Sequence, residues 1–229
     1  VKNLPESMPE HWRIETLDDK RLSVHVSASQ DFFLPSHRKL KVQSAGQLPS
    51  GFDPGADYPS HNHPRGLKMT VFGASDALAS VGIDWAELSQ QVAADQISVY
   101  AGSGMSQLDA QSNGGMLTAR FNDRRVSAKQ CPFGFAEMPA DFINAYVLGS
   151  LGTTGTSMGA CASFLYNLRQ AMTDIQDGRS RIAIVGNSEA PIVPEIIEGY
   201  AAMSALASDK DLARLDGGKI DYRRACRPF

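Results

Sequence analysis

The feature that most constrains the fold is the alternation of amphipathic helices with short apolar strands. Apolar residues spaced by three and four positions from Leu67 to Val81 mark one helix face, and Gly82 ends that helix. The next segment, "ISVYAGSGM" (97–105), is typical of a short buried strand that runs into a glycine turn. Because helix and strand patterns alternate along the chain, the sequence predicts an α/β fold with helices packed on a largely parallel or mixed central sheet.

The alternation continues towards the end of the chain. A helix is predicted from Pro139 to Leu148, with the proline in the first turn, where its missing N–H costs nothing. The segment "RIAIVG" (181–186) predicts a strand buried on both sides. A further helix is predicted from Pro191 to about Leu206, and the polar segment after it shows no obvious final element.

The two ends of the chain differ in pattern from its middle. Residues 1–40 are predicted to be an N-terminal extension or a partial first element, in which Arg21–Ser29 alternates as a strand does. Residues 41–229 are predicted to be the main domain. It begins with a Gly- and Pro-rich loop over residues 41–64.

Charge and composition exclude several classes of function. A net charge of -3 gives no electrostatic reason to expect nucleic acid or an anionic membrane as a partner. No apolar run approaches the roughly 20 residues of a membrane span, and the first residues do not resemble a signal peptide. The chain lacks an initiator Met, which is expected of a processed or excised piece. Three cysteines without a CxxC motif favour a reducing, cytoplasmic location and argue against a disulfide or zinc scaffold.

One cysteine stands where a sulfur could act. In "TSMGACASF", Cys161 precedes a helix whose apolar residues share one face: Phe164, Leu165, Leu168, Met172 and Ile175. The helix is predicted to begin at the cysteine and to stop at Asp177–Gly178. The first turn of a helix favours a thiolate and offers backbone N–H groups to an oxyanion, as in a nucleophile elbow. The alternative from local composition is a small buried cysteine at a tight helix–sheet contact.

A longer string extends this motif on both sides. It runs from Met138 to Ala190, and the end of the chain, "ACRPF", adds a further short match. The matching positions are Asn144, Gly152, the run Gly159 to Ser163, Gly178, Gly186, Glu189–Ala190, Gly199–Tyr200 and Ala205 to Ser208.

Together these positions resemble the β-ketoacyl synthase family, the condensing enzymes of fatty-acid and polyketide synthesis. The spacing from Gly152 to Cys161 is most similar to the ketosynthase domains of fungal-type fatty-acid synthases and their stand-alone bacterial relatives. The resemblance covers residues 41–229 and implies a thiolase-like layered α/β fold, N-terminal half only. Thr153 and Asn187 depart from the usual proline and glycine, and "GSGMSQ" lacks the usual double glycine, but none of these removes a reacting group.

The resemblance implies a decarboxylative Claisen condensation. Cys161 would attack an acyl thioester and hold the chain, and the enolate of a decarboxylated malonyl thioester would then attack it. An acyl carrier protein would deliver both substrates on its phosphopantetheine arm. No metal or redox cofactor is implied, and family members are homodimers.

Other site residues also come from the resemblance. Met105 and Tyr200 match positions that line the acyl tunnel, with plain core packing as the alternative for each. Glu189 matches a position that is more structural than catalytic. Cys131 and Cys226 match no nucleophile turn and are expected to be structural.

The family takes two further histidines from its second half. The five histidines of this chain all precede Cys161, and none has the family context. The chain is therefore expected to be an N-terminal half that can be acylated but cannot condense malonyl units alone. His61 and His63, in "HNH", are expected to lie in a solvated loop and not to form a metal site.

Two alternatives stay open at this point. One is the condensing domain of a polyketide or polyunsaturated-lipid synthase, which flanking carrier domains would distinguish. The other is a non-catalytic partner subunit that shapes a chain-length cavity. Such subunits typically lose the nucleophile, so the presence of Cys161 argues against this second alternative.

Overall fold

The computed structural model describes residues 8–27, 39–105, 108–189 and 192–227. The chain divides into two compact units, one formed by Val1–Gln43 with Leu206–Phe229 and the other by Ser44–Ala205. The predicted division after residue 40 stays a prediction. Within the described residues, no helix is both long and apolar enough to cross a membrane.

The elements follow one another along the chain as strands, helices and short turns. The strands are β1 (Trp12–Asp18), β2 (Arg21–Val26), β3 (Ile97–Gly102), β4 (Thr154–Gly155) and β5 (Ile182–Asn187). The α-helices are α1 (Arg65–Val81), α2 (Trp85–Gln91), α3 (Asn113–Thr118), α4 (Met138–Ile143), α5 (Ser163–Gln176), α6 (Pro194–Ala202) and α7 (Asp209–Leu215).

In the smaller unit, β1 and β2 form an antiparallel hairpin in which Trp12 lies opposite Val26. The predicted strand at Arg21–Ser29 is confirmed as far as Val26, and residues 28–29 lie outside the described part. In the same unit, α7 starts with a capping box in which Ser208 and Asp211 each accept the other's backbone N–H at 3.2 Å. The polar final segment therefore contains a helix that the sequence analysis left unassigned.

In the larger unit, three parallel strands form a sheet in the order β4-β3-β5. Every residue of β3 is buried, as predicted for this central strand. The prediction that β5 is buried on both sides is wrong. Its residues Ile182 to Gly186 are only half-buried, because β5 pairs with β3 on one side and, among the described residues, with no strand on the other.

Apolar side chains from β3, α1 and α4 build the core of the larger unit. The buried members are Ala74, Val92, Ile97, Val99, Ala101, Ala140, Ile143 and Leu148. The core positions β3 rigidly between helices, so that the loops at the end of the sheet start from fixed points.

Three predicted helices occur close to their predicted bounds. The first ends at Gly82, which adopts the left-handed conformation with φ 72°. The second is α4, which continues into a π-helical turn, Asn144–Leu148. The third, α5, stops before Gly178, where φ is 73°. The fourth, α6, is shorter than predicted and ends before Ser204, which also has a positive φ of 58°.

Candidate active site

The residues predicted to carry chemistry follow the carboxyl ends of the three parallel strands. Residues 103–105 follow β3, the nucleophile loop (residues 156–161) follows β4, and Ser188 and Glu189 follow β5. Carboxyl ends of parallel strands meet at one edge of a sheet, where α/β proteins place their ligands. The topology therefore brings these loops to a common edge.

Cys161 lies in a 3₁₀ turn, Ala160–Ala162, that leads directly into α5. Its side chain is exposed, so a cysteine buried at a helix–sheet contact does not describe this site. Cys131 and Cys226 are exposed as well, and exposure alone therefore does not distinguish Cys161. Its backbone N–H has no hydrogen-bond partner within the described residues, as expected at the start of a helix.

The backbone turns sharply just before the cysteine. Ala160 has a φ of 49°, the left-handed region that non-glycine residues rarely adopt. The buried Ser163 holds this turn, since its hydroxyl accepts the Gly159 N–H at 3.0 Å and donates to the Ala160 carbonyl at 2.7 Å. Gly159 has no room for a side chain, because a Cβ there would lie 1.8 Å from the Tyr166 ring.

A second buried side chain holds the start of the nucleophile loop. The side-chain oxygen of Asn167 accepts the Ser157 N–H at 2.7 Å and lies 3.3 Å from the Thr156 hydroxyl. The amide nitrogen of Asn167 donates to the same hydroxyl at 3.1 Å. Asn167 is fully buried, so these bonds are shielded from water.

The helix that follows Cys161 buries a polar face and exposes an apolar one. Its buried side chains are Ser163, Asn167, Ala171 and Asp174. The five apolar residues that share the other face are 36% to 62% exposed. The spacing of apolar residues predicts the apolar face of this helix. The buried polar face was not predicted, although its residues also recur at helical spacing.

Asp174 links this helix to the central strand. Its carboxylate accepts a hydrogen bond from the Tyr100 hydroxyl of β3 and another, at 3.2 Å, from the Gln170 amide. Burial, followed by the hydrogen bond to Asp174, raises the pKa of Tyr100 above its usual value. Tyr100 therefore stays a neutral donor and fixes α5 along the sheet.

Glu189 organises the turn that carries Met105. Its carboxylate accepts the backbone N–H of Gly104, the N–H of Met105 at 3.0 Å and the Ser103 hydroxyl at 3.3 Å. A Cβ on Gly104 would lie 3.7 Å from the Met158 methyl group, so this turn borders the nucleophile loop. The contacts of Glu189 are those of a structural residue.

The other residues of the motif lie on neighbouring elements. Asn144 begins the π-helical turn, and its side-chain oxygen accepts both the N–H and the hydroxyl of Ser150 at 2.8 Å. Gly152 passes so close to β3 that a Cβ would lie 2.2 Å from the Ile97 carbonyl. Tyr200 is half-buried on α6, and its predicted place in an acyl pocket stays a prediction.

His63 contradicts the prediction of a solvated "HNH" loop, whereas His61 is exposed as expected. His63 is only 8% exposed, because a cluster of aromatic rings surrounds it: Tyr58, Phe133, Phe142 and Tyr146. Burial, with the charges of Lys68 and Lys129, lowers the pKa of His63. Across the described ranges, no group of three or more His, Cys, Asp or Glu could hold a metal ion.

Comparison with known proteins decides the family. The profile described as "Beta-ketoacyl synthase, N-terminal domain" matches residues 11–218. The chain belongs to the β-ketoacyl synthase family. The chain is 52% identical over 229 residues to the beta-ketoacyl-[acyl-carrier-protein] synthase FabY of Pseudomonas aeruginosa. It is 30% identical over 206 residues, 87% of its length, to fatty acid synthase 2 of Mycosarcoma maydis, of which it covers 5%. The predicted relation to fungal-type synthases and bacterial relatives is confirmed.

Solved structures of ketosynthases have the same fold. The crystal structure of the P. aeruginosa ketosynthase FabY matches 98% of this chain with a TM-score of 0.82 and 52% identity, and the match covers 35% of that chain. A beta-ketoacyl synthase from Burkholderia phymatum, at 22% identity and a TM-score of 0.59, matches in fold over 76% of this chain and 42% of its own. The predicted thiolase-like α/β fold is confirmed. The chain spans 36% of the length of FabY.

Proposed function

We propose that the protein carrying this chain is a β-ketoacyl-acyl-carrier-protein synthase that elongates fatty-acyl chains through a thioester on Cys161. The observation that carries the proposal is the exposed cysteine at the entrance of α5, directly after the left-handed Ala160, in a chain of this family. The exposed sulfur lies in the 3₁₀ turn that leads into a 14-residue helix, beside the Cys161 N–H, which has no hydrogen-bond partner within the described residues. Such a turn gives a nucleophile and an oxyanion site together.

The reaction has two steps. The Cys161 thiolate attacks the carbonyl of an acyl thioester, a new C–S bond forms, and the carrier's thiolate leaves. A malonyl thioester then loses CO₂, and the resulting enolate attacks the acyl carbonyl on Cys161. A C–C bond forms, the C–S bond to Cys161 breaks, and the cysteine thiolate is released for the next cycle.

Two side chains are proposed to contact the acyl chain. Met105 is half-buried on the turn that Glu189 holds, and Tyr200 is half-buried on α6. A flexible, polarizable methionine suits acyl chains of different lengths. These assignments rest on the family resemblance at both positions.

The partners follow from the chemistry. The names of FabY, a beta-ketoacyl-[acyl-carrier-protein] synthase, and of 3-oxoacyl-[acyl-carrier-protein] synthase 2 from Staphylococcus aureus, 27% identical over 165 residues, both specify an acyl carrier protein. The latter match covers 72% of this chain and 37% of that protein. We expect the carrier's phosphopantetheine arm to bring both substrates. The protein would act in the cytoplasm as a homodimer, without a bound metal or redox cofactor.

Substitution of the cysteines in the full-length protein tests the proposal. With acyl and malonyl carrier thioesters supplied, Cys161→Ser is expected to lose about a thousandfold or more in condensation rate, because an alcohol is a far weaker nucleophile here. Cys131→Ser is the matched control, since that cysteine is also exposed, and it is expected to stay within about twofold. A Cys161→Ser protein that condenses at the normal rate would refute the proposal.

A further inference from the structure

The polar face of α5 is bonded to the segments that lead to the cysteine. Ser163 and Asn167 are 0% exposed and lie one helical turn apart. Ser163 holds the last residues before Cys161, and Asn167 holds the first residues of the nucleophile loop. Directional hydrogen bonds fix the rotation and register of an element more narrowly than apolar contacts do.

We propose that Asn167 is a positioning residue, which sets the nucleophile loop so that Cys161 and its backbone N–H meet a thioester carbonyl together. This inference rests on the proposed role of Cys161 as the nucleophile. Across the part of the chain that the structure describes, every hydrogen bond of the Asn167 side chain goes to Thr156 or Ser157. The side chain therefore acts on the loop and not on the substrate.

The loop depends on this amide because the strand before it is very short. β4 consists of two residues, and its pairing with β3 ends at Gly155. The Asn167 oxygen then accepts the Ser157 N–H, as a sheet partner would in a longer strand.

Thr156 is confined from the other side. A Cβ on Gly102, at the end of β3, would lie 2.3 Å from the Thr156 hydroxyl oxygen. Thr156 is therefore held between the central strand and Asn167. If Thr156 and Ser157 move, the short loop also moves Ala160 and Cys161. A displacement of the reacting group by about 1 Å can lower the rate of reaction up to about 100-fold.

Two rates measured on the full-length protein distinguish a specific effect on the position of Cys161 from a general loss of order in the loop. One is acylation of Cys161 by an acyl thioester, which needs both the sulfur and the oxyanion site. The other is alkylation by iodoacetamide, which needs an accessible thiolate but no oxyanion site. Asn167→Ala is expected to slow acylation about 10- to 100-fold and to leave alkylation within about twofold.

Gln170→Ala is the matched control. Gln170 carries the same amide group on the same helix, but it donates to Asp174 at 3.2 Å and not to the loop. In the Gln170→Ala protein, the rates of acylation and alkylation are both expected to stay within about twofold of those of the unsubstituted protein. If Asn167→Ala does not fold, Thr156→Val tests the same interaction. It removes the hydroxyl that bonds Asn167 and leaves the side-chain volume nearly unchanged. Thr156→Val is expected to acylate more slowly than Thr156→Ser, which keeps the hydroxyl.

The outcomes separate this inference from the proposed function. Selective loss of acylation supports positioning by Asn167. Equal loss of both rates, or unchanged acylation in a folded variant, would overturn it. If the unsubstituted protein is alkylated at Cys161 but never acylated there by a thioester, the proposed function itself fails.

Discussion

Contacts at single residues explain the small side chains around Cys161. Gly159 has a φ of -147°, outside the left-handed region, so a positive φ is not the reason for a glycine there. The reason is the Tyr166 ring, which occupies the space that a Cβ would need. The sequence indicates a tight turn at this point, but it does not reveal that the Tyr166 side chain, seven residues further on, closes the space.

Substitution of Gly159 should therefore act through Tyr166. Gly159→Ala is expected to lower the free energy of unfolding by about 1–3 kcal/mol, the usual cost of overpacking. In a Tyr166→Ala background the same substitution should cost less than about 0.5 kcal/mol. Urea unfolding measures the change in the free energy of unfolding in both backgrounds. Gly155→Ala is the control, because nothing lies within 4 Å of a Cβ there. An equal cost in both backgrounds would contradict the contact.

His63 shows how the surroundings of a residue can be missed in a polar segment. Its neighbours in sequence are polar, but the rings that enclose it come from residues 58, 133, 142 and 146. Three of these four lie about 70 to 80 residues away, so no local pattern could predict the burial.

Folding stability should depend on pH through this histidine. The folded-state pKa of His63 lies below its usual 6.5, so the unfolded chain binds the proton more readily. Its contribution to stability is therefore complete above pH 6.5 and is lost as the pH falls through the folded-state pKa. Unfolding free energies measured from pH 8 to pH 5 should decline less in His63→Phe. The exposed His61 supplies the control: His61→Asn should keep the decline, and an identical decline in all three proteins would exclude His63 as its source.

At the scale of elements, sequence periodicity located the helices better than it oriented them. The start and end of α1 and α5 follow from apolar spacing and a terminal glycine. The burial of α5 does not, because this helix packs a hydrogen-bonded polar face on the sheet and leaves its apolar face exposed. Exposed apolar surface of this kind is typical of interfaces. α7 was predictable, since Ser208 and Asp211 form a capping-box pattern.

Two glycines of α1 should respond in opposite directions to alanine. Gly82 ends the helix with φ 72° in open space, so Gly82→Ala is expected to cost about 1 kcal/mol through backbone strain alone. Gly73 lies inside the same helix, also with nothing within 4 Å, and Gly73→Ala is expected to stabilise by about 0.5–1 kcal/mol. The midpoints of urea unfolding compare the stabilities of the two variants. Stabilisation by both substitutions would contradict the role of Gly82 as the helix terminator.

At the scale of the whole molecule, the motif around Cys161 was enough to predict the family and the fold. The edge at which the candidate site lies follows only in part from the sequence, which predicts β3 and β5 but not the two-residue β4 before the nucleophile loop. What the sequence could not supply is how the site is held together. The bonds from Asn167 to residue 157 and from Glu189 to residues 103–105 join segments whose partners become neighbours only in the folded chain.

The chain also covers little more than a third of the length of FabY, which bears on what it can do alone. We expect the isolated 229-residue chain to accept an acyl group but to form no β-ketoacyl product, because the family's two catalytic histidines have no counterpart in its sequence. Mass spectrometry of the products after incubation with acyl and malonyl thioesters measures this. A β-ketoacyl product from the isolated chain would contradict the expectation.

We expect the geometry at the entrance of α5, and not exposure alone, to select the reacting sulfur. All three cysteines are exposed, so the chain contains its own controls. The most direct measurement is peptide mass mapping of the full-length protein after brief exposure to an acyl thioester. We expect an acyl group on Cys161, with Cys131 and Cys226 unmodified. Acylation confined to Cys131 or Cys226 would contradict it.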